Sequence, residues 1–151
     1  MKEIQTEILI HASPERVWDF FMDFANYPNW NPFIKELNGI PQAGKKLKAT
    51  LYPKGKSSMV FEPIVVRVTP QREFRWRGKL WIRGLFDGEH YFQLIPVGKD
   101  QTKFIHAENF SGLLAGAILG MIGEATKQSF HEMNQALKEA VEKREGYKEK
   151  V

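Results

Sequence analysis

The chain has 151 residues, of which 42% are hydrophobic and 13% aromatic, and its formal net charge is +4 at pH 7. This length and composition predict a single globular domain over residues 1–151 with a substantial apolar core. The absence of cysteine excludes disulfides, thiolate metal sites and a cysteine nucleophile. The charge is also too small and too dispersed to predict a nucleic-acid partner.

Neither the N-terminus nor the longest uncharged stretch has the pattern of a targeting or membrane segment. Residues 1–7 alternate charged and apolar side chains and lack the apolar run of a signal peptide. Residues 110–123 are uncharged but too few to span a bilayer. We therefore expect a cytoplasmic protein with no integral membrane association, while the sequence leaves a homodimer open.

The first elements are a strand, a short helix and an aromatic corner. Apolar and polar residues alternate over 3–11, which predicts a strand. Ser13 followed by Pro14 predicts a helix start, because the hydroxyl can cap the helix and proline lacks only an N–H that has no partner there. Residues 27–32, which contain two prolines, predict a tight corner after the helix.

Six further strands follow, and their spacing and turns predict antiparallel hairpins. Pro63 lies inside the fourth strand of the chain and indicates a sheet edge or a bulge there. The six predicted strands cover residues 33–37, 46–52, 60–69, 73–82, 88–96 and 102–110.

The last third of the chain, from 112 to about 145, predicts one long helix. Apolar residues recur there at steps of three and four, which is the pattern of one helix face. These residues are Leu119, Ile122, Thr126, Phe130, Met133, Leu137 and Val141. A helix of roughly 30 residues is about 45 Å long, so its apolar face needs a long cover. We expect an α+β helix-grip fold: a curved antiparallel seven-stranded sheet wrapped around this helix, with short helices between strands 1 and 2.

The loop between the last two strands predicts their register. A five-residue loop over 97–101 sets which side chains lie opposite each other, and cross-strand partners share a sheet face. The predicted pairs are Leu94 with Phe104, Phe92 with His106, and His90 with Glu108. We therefore expect His90 and Glu108 to face each other on the inner side of the sheet.

Five sequence segments in this order resemble a known superfamily. They are ASPERVW at 12–18, YPNWNPF at 27–33, RWRG at 75–78, GLFDGEHYF at 84–92 and ENFSGLL at 108–114. The chain is similar over about 3–143 to the SRPBCC, or START-like (Bet v 1-like), superfamily, and within it to the bacterial polyketide cyclase/dehydrase and lipid-transport group. The resemblance implies the helix-grip fold and a small hydrophobic ligand, such as a lipid, polyketide or aromatic compound, held between sheet and helix. It implies that a minority of such proteins are enzymes.

The inward-facing side chains supply the candidate ligand contacts. Any single aromatic residue among them fits a solid core as well as a cavity wall. The candidates are Trp76, His90, Phe92, Phe104, His106, Glu108, Phe110, Met121 and Phe130.

His90, His106 and Glu108 form the one inward polar cluster, and they are the candidate catalytic residues. They fit a satisfied buried pair, a group that orients a ligand, or an acid–base pair of a cyclase or dehydratase. A metal site of two histidines and a carboxylate is the least favoured interpretation, so we expect no metal and no other cofactor.

Other function classes have weaker support. The chain has no GxSxG elbow, Walker A loop, GxGxxG or HExxH motif. Arg75 and Arg77 alternate with Trp76, so they are expected on the solvated outer face of the sheet rather than in a nucleic-acid site. A protein-interaction module that uses this outer face or the long helix is the remaining alternative.

Overall fold

The computed structural model describes residues 2–55, 57–79, 84 and 86–150. Within these residues the chain forms eight strands, three α-helices and one turn of 3₁₀ helix at Phe24–Asn26. The elements are β1 (Lys2–Ile10), α1 (Pro14–Phe21), α2 (Tyr27–Trp30), β2 (Ile34–Asn38), β3 (Lys48–Leu51), β4 (Met59–Phe61), β5 (Ile64–Thr69), β6 (Glu73–Lys79), β7 (Asp87–Pro96), β8 (Thr102–Ser111) and α3 (Ala115–Lys150). Residues 80–82, where the fifth strand was predicted to continue, lie outside the described residues.

The first helix begins where the sequence predicts. Ser13 has an extended backbone and its hydroxyl accepts a hydrogen bond from the backbone N–H of Arg16 at 3.3 Å. Pro14 occupies the first helical position. The inner face of α1 buries Val17 and Phe21 completely, so this short helix closes one side of the core.

The strands form an antiparallel five-stranded sheet in the order β1-β8-β7-β6-β5 and a three-stranded sheet in the order β2-β3-β4. The predicted count of seven strands is corrected to eight, because the strand predicted over 60–69 is broken at Pro63. Proline lacks the N–H that a continuing ladder needs. The two sheets still meet: the N–H groups of Gly44 and Leu47 donate to the carbonyls of Val65 and Pro63, each at 2.8 Å.

The predicted register of the last hairpin is confirmed. Leu94 lies opposite Phe104, Phe92 opposite His106, and His90 opposite Glu108. The outer face of β6 is also as expected: Arg75 contacts the carboxylates of Glu73 and Glu89, each at 3.3 Å.

The long helix α3 packs along the inner face of the curved sheet, so the predicted helix-grip fold is confirmed. Its two halves differ in burial. Phe130, Met133 and Leu137 are fully buried in the main core, whereas Leu119 and Ile122, nearer its beginning, are only half buried. Among the described residues, no helix is long and apolar enough to cross a lipid bilayer.

Candidate functional site

A cavity of about 350 Å³ lies beside the first half of α3, where the helix is half buried. This volume is within the range of small-molecule sites in proteins. Strands from both sheets contribute to its walls, and most of the lining is apolar. The lining residues are Phe33, Leu51, Pro53, Ser57, Met59, Phe61, Phe86, His90, Glu108, Phe110, Ile118, Met121, Ile122, Ala125 and Thr126.

The size of the side chains along α3 explains why the space is at this end. From Phe130 onward, bulky side chains fill the gap between helix and sheet. One turn earlier the same face presents Ala125 and Thr126, which are too short to reach the strands. Phe86 and Phe110 stack at one side of the cavity, with ring centroids 5.4 Å apart and nearly parallel planes. The sheet therefore bounds a space that the helix does not fill.

Four of the nine predicted ligand contacts line this cavity: His90, Glu108, Phe110 and Met121. Met121 is 82% exposed, which places it at the rim. The other five lie in the packed core next to the cavity, each at most 1% exposed, and their role as ligand contacts remains a prediction. They are Trp76, Phe92, Phe104, His106 and Phe130.

His90 begins a chain of buried hydrogen bonds that leads away from the cavity. Its Nε2 lies 2.7 Å from Nε2 of His106, and Nδ1 of His106 lies 3.0 Å from Oδ1 of Asn134. Asn134 Nδ2 donates to the Thr6 hydroxyl at 2.8 Å, and that hydroxyl donates to the backbone carbonyl of His106 at 2.8 Å. All four residues are buried, so β1, β7, β8 and α3 are joined by one polar network.

Asn134 and Thr6 were not among the predicted site residues, although the sequence carries a signal for each. Asn134 lies four residues after Phe130 and three before Leu137, which places a polar side chain on the apolar face of the helix. Thr6 alternates with Ile4 and Ile8 on the inner side of β1. A polar residue inside an apolar pattern indicates a buried hydrogen-bond partner.

The network determines which nitrogen of His106 carries a proton. The Thr6 hydroxyl gives its only hydrogen to a carbonyl, so it must accept from the amide nitrogen of Asn134. The amide oxygen of Asn134 therefore faces His106, and Nδ1 of His106 is the protonated nitrogen. Burial lowers the pKa of His106 well below its ordinary value of 6.5, and nearby His90 lowers it further. His106 is thus neutral, and its Nε2 must accept a hydrogen bond from Nε2 of His90.

Glu108 completes the polar wall of the cavity. Its Oε1 lies 3.4 Å from Nδ1 of His90, and the two side chains are 13% and 4% exposed. Gly88 makes room for the carboxylate, because a Cβ at this position would overlap Glu108. The site therefore presents one imidazole and one carboxyl group, together with the hydroxyl side chains of Ser57 and Thr126, to a mostly apolar space.

Metal ligation receives no support from this arrangement. Within residues 2–55, 57–79, 84 and 86–150, no group of three or more His, Asp or Glu side chains could hold a metal ion.

Solved structures share this fold with low sequence identity. A START superfamily protein from Mycobacterium smegmatis matches with a TM-score of 0.72 and 20% identity, over 93% of this chain and 97% of that one. The Zhui aromatase/cyclase from a Streptomyces species matches with a TM-score of 0.75 and 12% identity, over 95% and 94%. Norcoclaurine synthase from Thalictrum flavum, in complex with dopamine and hydroxybenzaldehyde, matches with a TM-score of 0.71 and 14% identity, over 94% and 87%.

No curated protein matches the chain. The family described as "Polyketide cyclase / dehydrase and lipid transport" matches residues 1–142, which is nearly the whole sequence. The chain therefore belongs to the polyketide cyclase/dehydrase and lipid-transport family.

Proposed function

We propose that the protein binds a small hydrophobic molecule in the cavity beside the first half of α3. The observation that carries this proposal is the cavity itself: about 350 Å³, with apolar walls and one polar pair. The family and the structural neighbours support a hydrophobic ligand-binding or cyclase-type domain. A bicyclic aromatic guest that buries roughly 200 Å² would gain about 5 kcal/mol from burial, before the cost of association.

Filling the cavity tests this function. Ala125 lines the cavity, so Ala125→Phe places a ring in the space that a ligand would occupy. Gln128 lies on the same helix but is exposed, so Gln128→Phe is the matched control. We expect neutral bicyclic aromatic probes, such as 2-methoxynaphthalene, to bind the wild type and Gln128→Phe but not Ala125→Phe in calorimetric titrations. Equal binding by the three proteins would place the binding elsewhere and refute the proposal.

Native mass spectrometry of the purified protein is the complementary measurement. A small molecule that co-purifies with the wild type and is absent from Ala125→Phe would identify the natural guest. The same molecule should stabilise the wild type by RT ln(1 + [L]/Kd), so its melting temperature should rise with the logarithm of the ligand concentration once that exceeds Kd.

A second function, acid–base catalysis of the cyclase or dehydratase type, is favoured by one observation. His90 and Glu108 lie side by side in the cavity wall, where the carboxyl group of Glu108 could take a proton from a bound carbonyl compound. Proton exchange next to the carbonyl of 2-tetralone, followed by NMR in deuterated water, tests this chemistry. We expect exchange that saturates with 2-tetralone and is lost in Glu108→Gln; exchange no faster than in buffer would exclude it for this ketone.

A further inference from the structure

We propose that the cavity selects an apolar molecule that carries a hydrogen-bond donor, such as a phenol, an alcohol or an amine, and rejects carboxylates. This inference rests on the proposed function, since it names the chemical class of the guest. Its basis is the proton count of the wall: the carboxyl group of Glu108, which lines the cavity, can accept a hydrogen bond from a ligand but has no proton free to donate.

The buried network fixes the first part of this count. Asn134 holds a proton on Nδ1 of His106, and His106 Nε2 in turn needs a donor. His90 supplies it from Nε2 across the 2.7 Å contact. One nitrogen of His90 is therefore fully used on the side away from the cavity, and it cannot turn to a ligand without breaking the network.

The other nitrogen of His90 faces Glu108. Nδ1 and Oε1 are 3.4 Å apart, and two bare lone pairs at this separation in a buried site would repel. A single proton between them satisfies both atoms, whichever of the two carries it. In both arrangements the pair has no net charge, and the second oxygen of Glu108 remains an acceptor.

That second oxygen, Oε2, lies over Gly88 on the inner face of the hairpin. Glu108 lines the cavity, so a guest can reach this carboxyl group. A hydroxyl or amine of the guest would donate to Oε2 and replace the hydrogen bond that it loses with water. A ligand without a donor would leave this partly buried oxygen without a partner.

A carboxylate guest meets the opposite situation. The lining residues within the described part of the chain contain no lysine or arginine, and their other polar side chains are the hydroxyls of Ser57 and Thr126. Burying an anion without a counter-charge is strongly unfavourable. The acceptor oxygen of Glu108 would add repulsion, so free fatty acids and aromatic acids in their ionised forms are excluded guests.

Three naphthalenes of similar shape test the proposal in calorimetric titrations near neutral pH. We expect 2-naphthol to bind about tenfold more tightly than 2-methoxynaphthalene, the equivalent of one hydrogen bond, and 2-naphthoate to bind most weakly. If the two neutral probes bind equally, or if 2-naphthoate binds as tightly as 2-naphthol, the cavity still binds apolar guests but the inference is wrong. If none of the three binds, the proposed function falls as well.

Variants locate the acceptor. Glu108→Leu removes the carboxyl group and lays an apolar side chain over Nδ1 of His90, so the preference for 2-naphthol should fall below about threefold. Glu124→Leu, the same change at an exposed position of α3, is the control and should keep it. Gly88→Ala retains the carboxyl group of Glu108 but forces it to move, and it should also reduce the preference. A folded Glu108→Leu or Gly88→Ala protein that keeps the tenfold preference would overturn the proposal.

Discussion

The neutral, buried state of His106 makes the stability of this protein depend on pH. In the unfolded chain a histidine accepts a proton near its ordinary pKa of 6.5, whereas in the folded protein burial lowers the pKa of His106 well below that value. The unfolded state therefore binds one more proton than the folded state as the pH falls below 6.5. Stability rises with pH wherever the unfolded state binds more protons, so it is lost as the solution is acidified.

The groups around the His106 ring determine the direction of its pKa shift, and the uptake of one proton sets the size of the stability change. The groups near His106 are His90, whose charge would oppose protonation, His131, which lowers the pKa further, and neutral Asn134, whose hydrogen bond raises it. Glu108 lies against His90, with its Oε1 3.4 Å from Nδ1 of that ring. Because the net shift is downward, the free energy of unfolding should fall by about 1.4 kcal/mol per pH unit below 6.5. Between about pH 7.5 and about pH 5, the loss from this one residue is roughly 2 kcal/mol.

Urea denaturation across this pH range measures the effect, and two variants assign it. His106→Asn keeps an amide donor near the position of Nδ1 but cannot be protonated, so it should lose about 2 kcal/mol less than the wild type on acidification. His131→Gln removes an exposed histidine and should follow the wild-type curve closely. If the wild type and His106→Asn lose stability in parallel, His106 is not held neutral by folding, and the assignment of protons in the network is wrong.

Three further substitutions test the packing that surrounds the site, each by urea denaturation. Phe130→Ala should lower the free energy of unfolding by about 3–5 kcal/mol, because Phe130 is fully buried and stacks on His106 with ring centroids 4.0 Å apart. A loss under about 1 kcal/mol would mean that the core refills the gap. Asn31→Ala should lower the free energy of unfolding by about 2–4 kcal/mol, because the side-chain oxygen of Asn31 accepts hydrogen bonds from two buried N–H groups at the beginning of β2. The control Asn29→Ala, at an exposed position, should leave the stability nearly unchanged. Gly120→Ala should stabilise the protein by about 1 kcal/mol, because an added Cβ meets open space on α3, and a destabilised variant would contradict this.

Periodic patterns in the sequence were sufficient to predict the order of the elements and the register of one strand pair, β7 with β8. The β7–β8 pairing could be derived because a five-residue loop sets which residues lie opposite each other, and this alignment places His90 and Phe92 on the same face as Phe104. The break at Pro63 was harder to anticipate. A proline is compatible with an edge, a bulge or an end, and the choice between them depends on the loop at 44–47, which pairs with β5 through contacts distant in sequence.

The polar network was predicted only in part, for a similar reason. His90, His106 and Glu108 lie on neighbouring strands, so strand alternation brings them together. Asn134 on α3 and Thr6 on β1 contact His106 from two other elements. Their place in the network depends on the polar atoms that the folded chain brings opposite them. Sequence spacing within one element cannot show such a partner; it can only show that a polar side chain interrupts an apolar face.

The position of the cavity depends on packing between elements, and this explains why five predicted wall residues lie in the solid core. Trp76, Phe92 and Phe104 are aromatic and face inward, so the sequence favoured them as walls. Yet a large side chain that packs against another large side chain fills space instead of enclosing it. Phe92, for example, packs against Phe21 of α1, with ring centroids 4.7 Å apart. A cavity forms where the facing residue is small, and on α3 that is Ala125. In this chain, small helix residues opposite large strand residues therefore mark the cavity better than the aromatic residues alone.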